Sequence, residues 1–208
     1  MKKTASSILV LLAIVALVIA SPAYAKHGPK REKGPGWVYK GVTIEHQAEG
    51  VNHYKWELAR PPYGPFDKIA LHRYVYEPHN TSGLPGRPAK DKRKVLFMIP
   101  GTWDSGSSKG SDPRFSENYF FAANGYDTYS MDFRTSYIAN LAYDQFESQG
   151  YEDALYDTSD WTYAVFREDI KTCVDMAKKL SRARKLFLAG RSRGGTQMYI
   201  YAAKYWKK

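Results

Sequence analysis

One stretch constrains this chain more than any other. Gly190-Arg191-Ser192-Arg193-Gly194 lies between the apolar run Leu186-Phe187-Leu188-Ala189 and a segment of helical spacing that continues to Trp206. Gly-x-Ser-x-Gly between a strand and a helix is the pattern of a nucleophile elbow, in which a serine is lifted out of a sheet on a tight turn. Small residues are needed on both sides because backbones pass close together there. The bare pattern also fits an ordinary strand–helix loop with glycines at the helix entrance. The elements that precede it favour the elbow.

The first 25 residues read as a secretory signal peptide. Lys2-Lys3 give a charged start, Ile8 to Ile19 is an unbroken apolar run, and Ala23-Tyr24-Ala25 is a small-x-small cleavage site. The run falls short of the ~20 apolar residues that a membrane span needs. The mature protein is therefore expected outside the cytoplasm, periplasmic or extracellular, with no stable membrane span after cleavage near Ala25. Residues 26–36 form a basic Pro/Gly-rich lead-in. From residue 37 on, the chain is long enough for one domain with a core of its own.

Charge separates the partner classes. The chain carries 31 Lys+Arg against 21 Asp+Glu, a net +10. The cations gather in Lys26–Lys33, Arg87–Lys94 and Lys178–Lys185, the third where a helix is expected to end and its dipole favours them. No single basic face interleaved with aromatics is visible, so no nucleic-acid partner is expected. The lone cysteine, Cys173, sits in a helical apolar pattern and reads as a core thiol. Neither a His-x-x-x-His pair nor a calcium-loop spacing of carboxylates is present, so neither metal nor cofactor is expected. Asn80-Thr81-Ser82 fits the glycosylation pattern, which only a eukaryotic secretory route would use.

Three runs with period-two alternation, Trp37–Ile44, His53–Ala59 and Ile69–Tyr76, predict an antiparallel meander, with Val38, Val42 and Ile44 on one side of the first. The pattern changes at Val95-Leu-Phe-Met-Ile99, a continuous apolar run expected of a parallel strand buried on both faces. Asp112-Pro113 predicts a helix start, and that helix carries Phe115, Tyr119 and Ala122 before stopping at Asn124-Gly125. Tyr126–Phe133 reads as a strand, and Trp161–Leu180 as a helix capped by Asp160 with Phe166, Ile170, Cys173, Val174 and Ala177 on one face. Leu186–Ala189 and Gly194–Trp206 complete a strand–helix alternation that implies a parallel sheet with right-handed crossovers.

With these elements in order, the chain from about Trp37 onward resembles the α/β-hydrolase family, its lipase- and esterase-like members in particular. The fold class is then α/β, a mostly parallel sheet with an N-terminal antiparallel meander, ending after the nucleophile helix. The resemblance makes Ser192 the nucleophile and Gly190 and Gly194 the elbow glycines. Pro100-Gly101-Thr102-Trp103 falls where the family has its oxyanion loop, with Pro100 in place of the usual histidine. The backbone N–H groups of Thr102 and Arg193 would form the oxyanion hole. Trp103, Arg191 and Tyr137 are candidate substrate contacts. Arg191 and Arg193 either favour an anionic substrate or pair with acids such as Asp132 or Asp169. The connection from Arg134 to Asp160, rich in tyrosine, reads as a lid or as a surface excursion.

The resemblance implies an exported hydrolase of carboxylic esters, with a small-molecule or lipid-like substrate. A serine nucleophile needs a base and an orienting acid, which in this family follow the nucleophile. No His, Asp or Glu follows Ser192, and the histidines at 27, 46, 53, 72 and 79 read as lead-in, strand and loop residues. The expectation is that residues 37–208 are a partial hydrolase domain, nearly inactive alone, with the elbow strand left as an exposed apolar edge. The competing expectation is a non-catalytic exported binding or scaffold protein on a hydrolase-like core. Nothing in the sequence decides the oligomeric state.

Overall fold

Short alternating strands followed by strand–helix units give this chain a mixed sheet. The computed structural model describes residues 36–45, 50–86, 94–107, 115–138, 158 and 160–205. The expected signal peptide, nearly all of the lead-in and most of the tyrosine-rich connection lie outside the described residues. Six strands are present: β1 (Val38–Glu45), β2 (Val51–Ala59), β3 (Lys68–Tyr76), β4 (Val95–Ile99), β5 (Asp127–Asp132) and β6 (Phe187–Gly190). Three helices are α1 (Glu117–Ala123), α2 (Tyr163–Ser181) and α3 (Arg193–Tyr205), and residues 134–138 are also helical. The strand order is β1-β2-β3-β5-β4-β6. β1, β2, β3 and β5 pair antiparallel in succession, while β5–β4 and β4–β6 pair parallel.

This is the α/β fold that the sequence pattern implies, and its two faces differ. On one face Tyr54, Trp56, Leu71, Phe97, Tyr129 and Met131 meet Phe166, Ile170, Cys173, Val174 and Ala177 of α2 in one apolar cluster. Burying each large side chain there contributes about 1.5–3 kcal/mol before the entropy cost of ordering it. On the other face a smaller cluster joins Val51 and Tyr74 to Tyr119 and Ala122 of α1. The strand residues that point to that side include His53, His72 and Asp132, all buried. Among the described residues no helix is long and apolar enough to cross a membrane.

Three local expectations are corrected. β1 does not alternate throughout, because its register against β2 shifts between Tyr39 and Gly41. The bulge turns Tyr39 and Val42 together toward the core and leaves Val38 exposed. α1 starts at Glu117 after the N-cap residue Ser116, and Phe115, expected on its inner face, is 87% exposed; Asp112 and Pro113 lie outside the described residues. α2 is capped by Thr162, whose hydroxyl accepts the Val165 N–H, and Asp160 precedes the cap. Cys173 is a fully buried thiol whose pKa burial drives up, as a core residue's should be.

Candidate functional site

The parallel pairing of β4 with β6 builds the site. Its register sets Ile99 opposite Gly190, so both chains leave the sheet at the same level. The loop after β4 and the turn after β6 therefore emerge side by side, at the carboxyl edge where α/β sheets bind ligands. The Arg191 N–H bonds the Ile99 carbonyl at 3.1 Å and stitches the two together.

Ser192 occupies the turn with φ +54°, in the left-handed region. A non-glycine residue held there costs on the order of 1–3 kcal/mol, and such strain persists only where the surroundings impose it. The surroundings are backbone packed on backbone. A Cβ on Gly190 would lie 2.5 Å from the Gly194 carbonyl oxygen, and one on Gly194 would lie 2.5 Å from that of Pro100. Neither position has room for a side chain, whereas at Gly195 the nearest atom would be 3.6 Å away. Of the three glycines at 190, 194 and 195, only the two that define the five-residue pattern are sterically obligatory.

Gly101 lies against the serine: a Cβ built on it would be 3.5 Å from the Ser192 Cβ. Thr102, next along, has its carbonyl tied down by the Thr135 hydroxyl. Among the described residues neither the Thr102 nor the Arg193 N–H gives a hydrogen bond to a backbone acceptor, and the first N–H groups of α3 have no helical partner in any case. Ser192 itself is exposed, and its hydroxyl has no side-chain hydrogen-bond partner among the described residues. A small hollow behind the loop is lined by Pro100, Thr102, Phe133, Phe166, Arg193 and Gln197. A larger groove opens between α1 and the ends of β4 and β5, lined in part by Pro100, Ser107, Phe115, Asn118 and Arg191.

The two arginines do not pair with the acids that the sequence suggested. Arg191 donates to Asp104 Oδ2 at 2.5 Å, an ion pair between the elbow and the neighbouring loop. Arg193 spreads its guanidinium over the rings of Tyr163 and Phe166, 5.4 and 5.3 Å from their centroids. Asp169 is already committed to Arg60 and to Arg134, at 2.8 and 2.7 Å. Asp132 is held elsewhere too, by Ser105, Gly106, His72 and Lys55. Burial works to raise the Asp132 pKa, but the neighbouring His72 ring, the Lys55 ammonium and the Ser105 hydroxyl prevail and hold it far below the usual carboxylate range.

Trp103 stands 59% exposed beside Thr102. Tyr137 lies instead against the meander: Lys68 sits 4.4 Å from its ring centroid, and its hydroxyl donates to Glu57 at 3.4 Å. Burial, with Asp132 and Glu57 nearby, pushes its pKa well up. Tyr143, Tyr151 and Tyr156 lie outside the described residues. The Asn80 amide donates to the Tyr54 hydroxyl, Glu77 and the Leu84 carbonyl, so the glycosylation pattern coincides with a side chain already engaged in a turn. Asp104 was not singled out in the sequence, and Asp132 was named there only as a possible partner of the elbow arginines.

No protein-family model matches this chain, and no curated protein matches it by sequence. Among solved structures it is similar to a "putative lipase" from Sulfolobus solfataricus, with a TM-score of 0.61 and 26% identity over 82% of this chain. The fold is thus hydrolase-like. The chain spans 47% of that protein's length, about half.

Proposed function

We propose that this chain is the N-terminal part of an exported serine hydrolase that cleaves carboxylic esters, with Ser192 as nucleophile. The observation that carries the reading is the strained φ of +54° at Ser192, imposed by Gly190 and Gly194 and set against Gly101 of the neighbouring loop. Strained non-glycine residues of this kind cluster at active sites, where the strain is part of the mechanism. The similarity to a protein described as a putative lipase supports the same class.

In this reading the Ser192 hydroxyl gives its proton to a base while Oγ forms a bond to the ester carbonyl carbon. The carbonyl oxygen becomes an oxyanion, held by the Thr102 and Arg193 backbone N–H groups. Collapse of this intermediate breaks the C–O bond, and the alcohol leaves with the proton returned by the base. Water then enters the same cycle and frees the acid and the serine. The base and its orienting acid are proposed to come from polypeptide C-terminal to α3, in keeping with this chain spanning only 47% of the similar structure's length. The substrate is a neutral small-molecule or lipid-like ester. Arg191 is neutralised by Asp104, and Arg193 is applied to two aromatic rings. Trp103 offers an exposed apolar surface beside the site, and the signal-like segment 1–25 supports export.

The test is hydrolysis of a p-nitrophenyl alkanoate by the full product of the reading frame, beside Ser192→Ala. Loss of the nucleophile should cost at least about 10⁴-fold in kcat. An unchanged rate in Ser192→Ala would refute the assignment. No hydrolysis by either protein would favour the binding or scaffold role.

A further inference from the structure

Three strand residues that no step of this chemistry uses form one buried line. His53 on β2 and His72 on β3 meet through Nε2 and Nδ1 at 2.8 Å, and His72 Nε2 lies 3.0 Å from Asp132 Oδ2 at the end of β5. His72 is wholly buried, and the other two nearly so. The His72–Asp132 approach is close but bent away from a straight hydrogen bond. Lys55 Nζ stands 3.2 Å from the same oxygen, and the Tyr74 ring stacks parallel on His53 at 4.2 Å.

The far side of Asp132 faces the loop after β4. Its Oδ1 accepts the Ser105 hydroxyl at 2.6 Å and the Gly106 N–H at 2.7 Å. The Gly106 carbonyl accepts the Tyr74 hydroxyl and the Asn118 amide. A Cβ on Gly106 would lie 2.6 Å from His72 Cδ2 and 2.8 Å from the Met131 nitrogen, so this loop backbone rests directly on the imidazole and on β5. At its other end the same loop sets Gly101 against Ser192, with Thr102 next in the chain. Residues 101–107 thus run from the site to the buried histidines without a break.

We propose that Asp132 and His72 are positioning residues that fix the loop 101–107, and with it the Thr102 N–H, through a proton-ordered chain beginning at His53. This rests on the reading of Thr102 as an oxyanion donor. The order follows from proton counting. An ionised carboxylate only accepts, so the His72 proton sits on Nε2, facing Asp132. His72 Nδ1 is then the acceptor, and the proton shared by the two rings belongs to His53 Nε2. Carboxylate, first imidazole and second imidazole each take one role, and turning either ring would cost the buried bond between His53 Nε2 and His72 Nδ1. A loop held in this way presents its N–H in one place, which is what oxyanion binding requires.

The first test is spectroscopic and independent of activity. In ¹⁵N-histidine NMR of the protein, His72 is expected as the Nε2–H tautomer. In Asp132→Asn the carboxamide oxygen keeps the Ser105 and Gly106 donors and its NH₂ turns to His72, so His72 should switch to the Nδ1–H tautomer. The same His72 tautomer in both proteins would overturn the chain. The second test is kinetic and uses the full reading frame. His72→Leu should lower kcat about tenfold to a hundredfold with KM within about twofold, because it displaces a transition-state donor. His72→Gln, which keeps an N–H near the Nε2 position, should recover to within about threefold of the parent. Equal loss in both variants, or a loss confined to KM, would refute positioning. Hydrogen exchange at the Gly106 N–H should accelerate at least about tenfold in His72→Leu and not in His72→Gln; unchanged exchange would refute the brace. Tautomers and exchange that behave as expected in a protein that cleaves no ester would uphold the brace and sink the hydrolase reading.

Discussion

The parallel edge of the sheet and its antiparallel meander handle polar groups in opposite ways. At the β4–β6 edge the notable features are backbone ones: a serine at φ +54° and two glycines with no space for a side chain. Ser192 lies open to solvent there. In the meander and the β5 strand beside it, Arg73 and the two aspartates of β5 are buried and paired. Arg73 meets Asp127, and Asp132 meets His72, Lys55, Ser105 and Gly106. The difference shows a division of labour. On the hydrolase reading proposed above, the edge keeps the proposed nucleophile exposed at the expense of local strain, and the buried ion pairs alongside supply the rigidity that holds it.

If that division is right, the largest stability loss should come from the buried pairs. Arg134, 2% exposed, ties Asp169 of α2 to Asp67 and the Pro61 carbonyl. Arg134→Met leaves Asp169 with Arg60 alone and should cost about 4 kcal/mol in urea denaturation. A cost below about 1 kcal/mol would mean that the pairs are not what holds this side. Next in size is a contrast at the edge itself. Gly194→Ala drives a methyl into the Ile99 and Pro100 carbonyls and should cost about 3 kcal/mol. Gly195→Ala, with open space and a helical backbone, should be neutral or stabilise by up to about 1 kcal/mol. Equal effects at the two positions would break the account of the pattern.

The smallest expected effect concerns pH. The Asp132 pKa is depressed on folding, so its contribution is complete above the unfolded carboxylate value of ~3.9 and is lost as pH falls below it. Asp132→Asn does not titrate. The stability gap between the parent and this variant should therefore narrow by about 2 kcal/mol between about pH 6 and about pH 2. A gap that stays constant would mean that His72 and Lys55 do not hold the carboxylate in its charged form.

The meander and the strand–helix alternation were legible because hydrophobic period is a local signal. Tyr54, Trp56 and Leu58 point to the core as their alternation requires, and the predicted face of α2 is the buried one. The bulge at Tyr39–Gly41 was not legible, because a single glycine in a strand does not say which residue will be unpaired. Gly190 and Gly194 stood out by spacing, but the crowding of Gly194 comes from the Ile99 and Pro100 carbonyls, which spacing does not reveal. The partners of Arg191 could not be read from spacing either. Asp104 meets Arg191 only because β4 and β6 pair in register, 87 residues apart in sequence. The same is true of His53, His72 and Asp132, which three strands bring together and which, taken singly, look like any other strand residues.

The central claim is that Ser192 is a nucleophile. It is tested most directly by treating the full reading-frame product with a fluorophosphonate and mapping the adduct by peptide mass spectrometry. The account expects one phosphonyl group, on the peptide bearing Ser192, and none in Ser192→Ala. An adduct on another residue, or no adduct on a protein that hydrolyses esters, would contradict it.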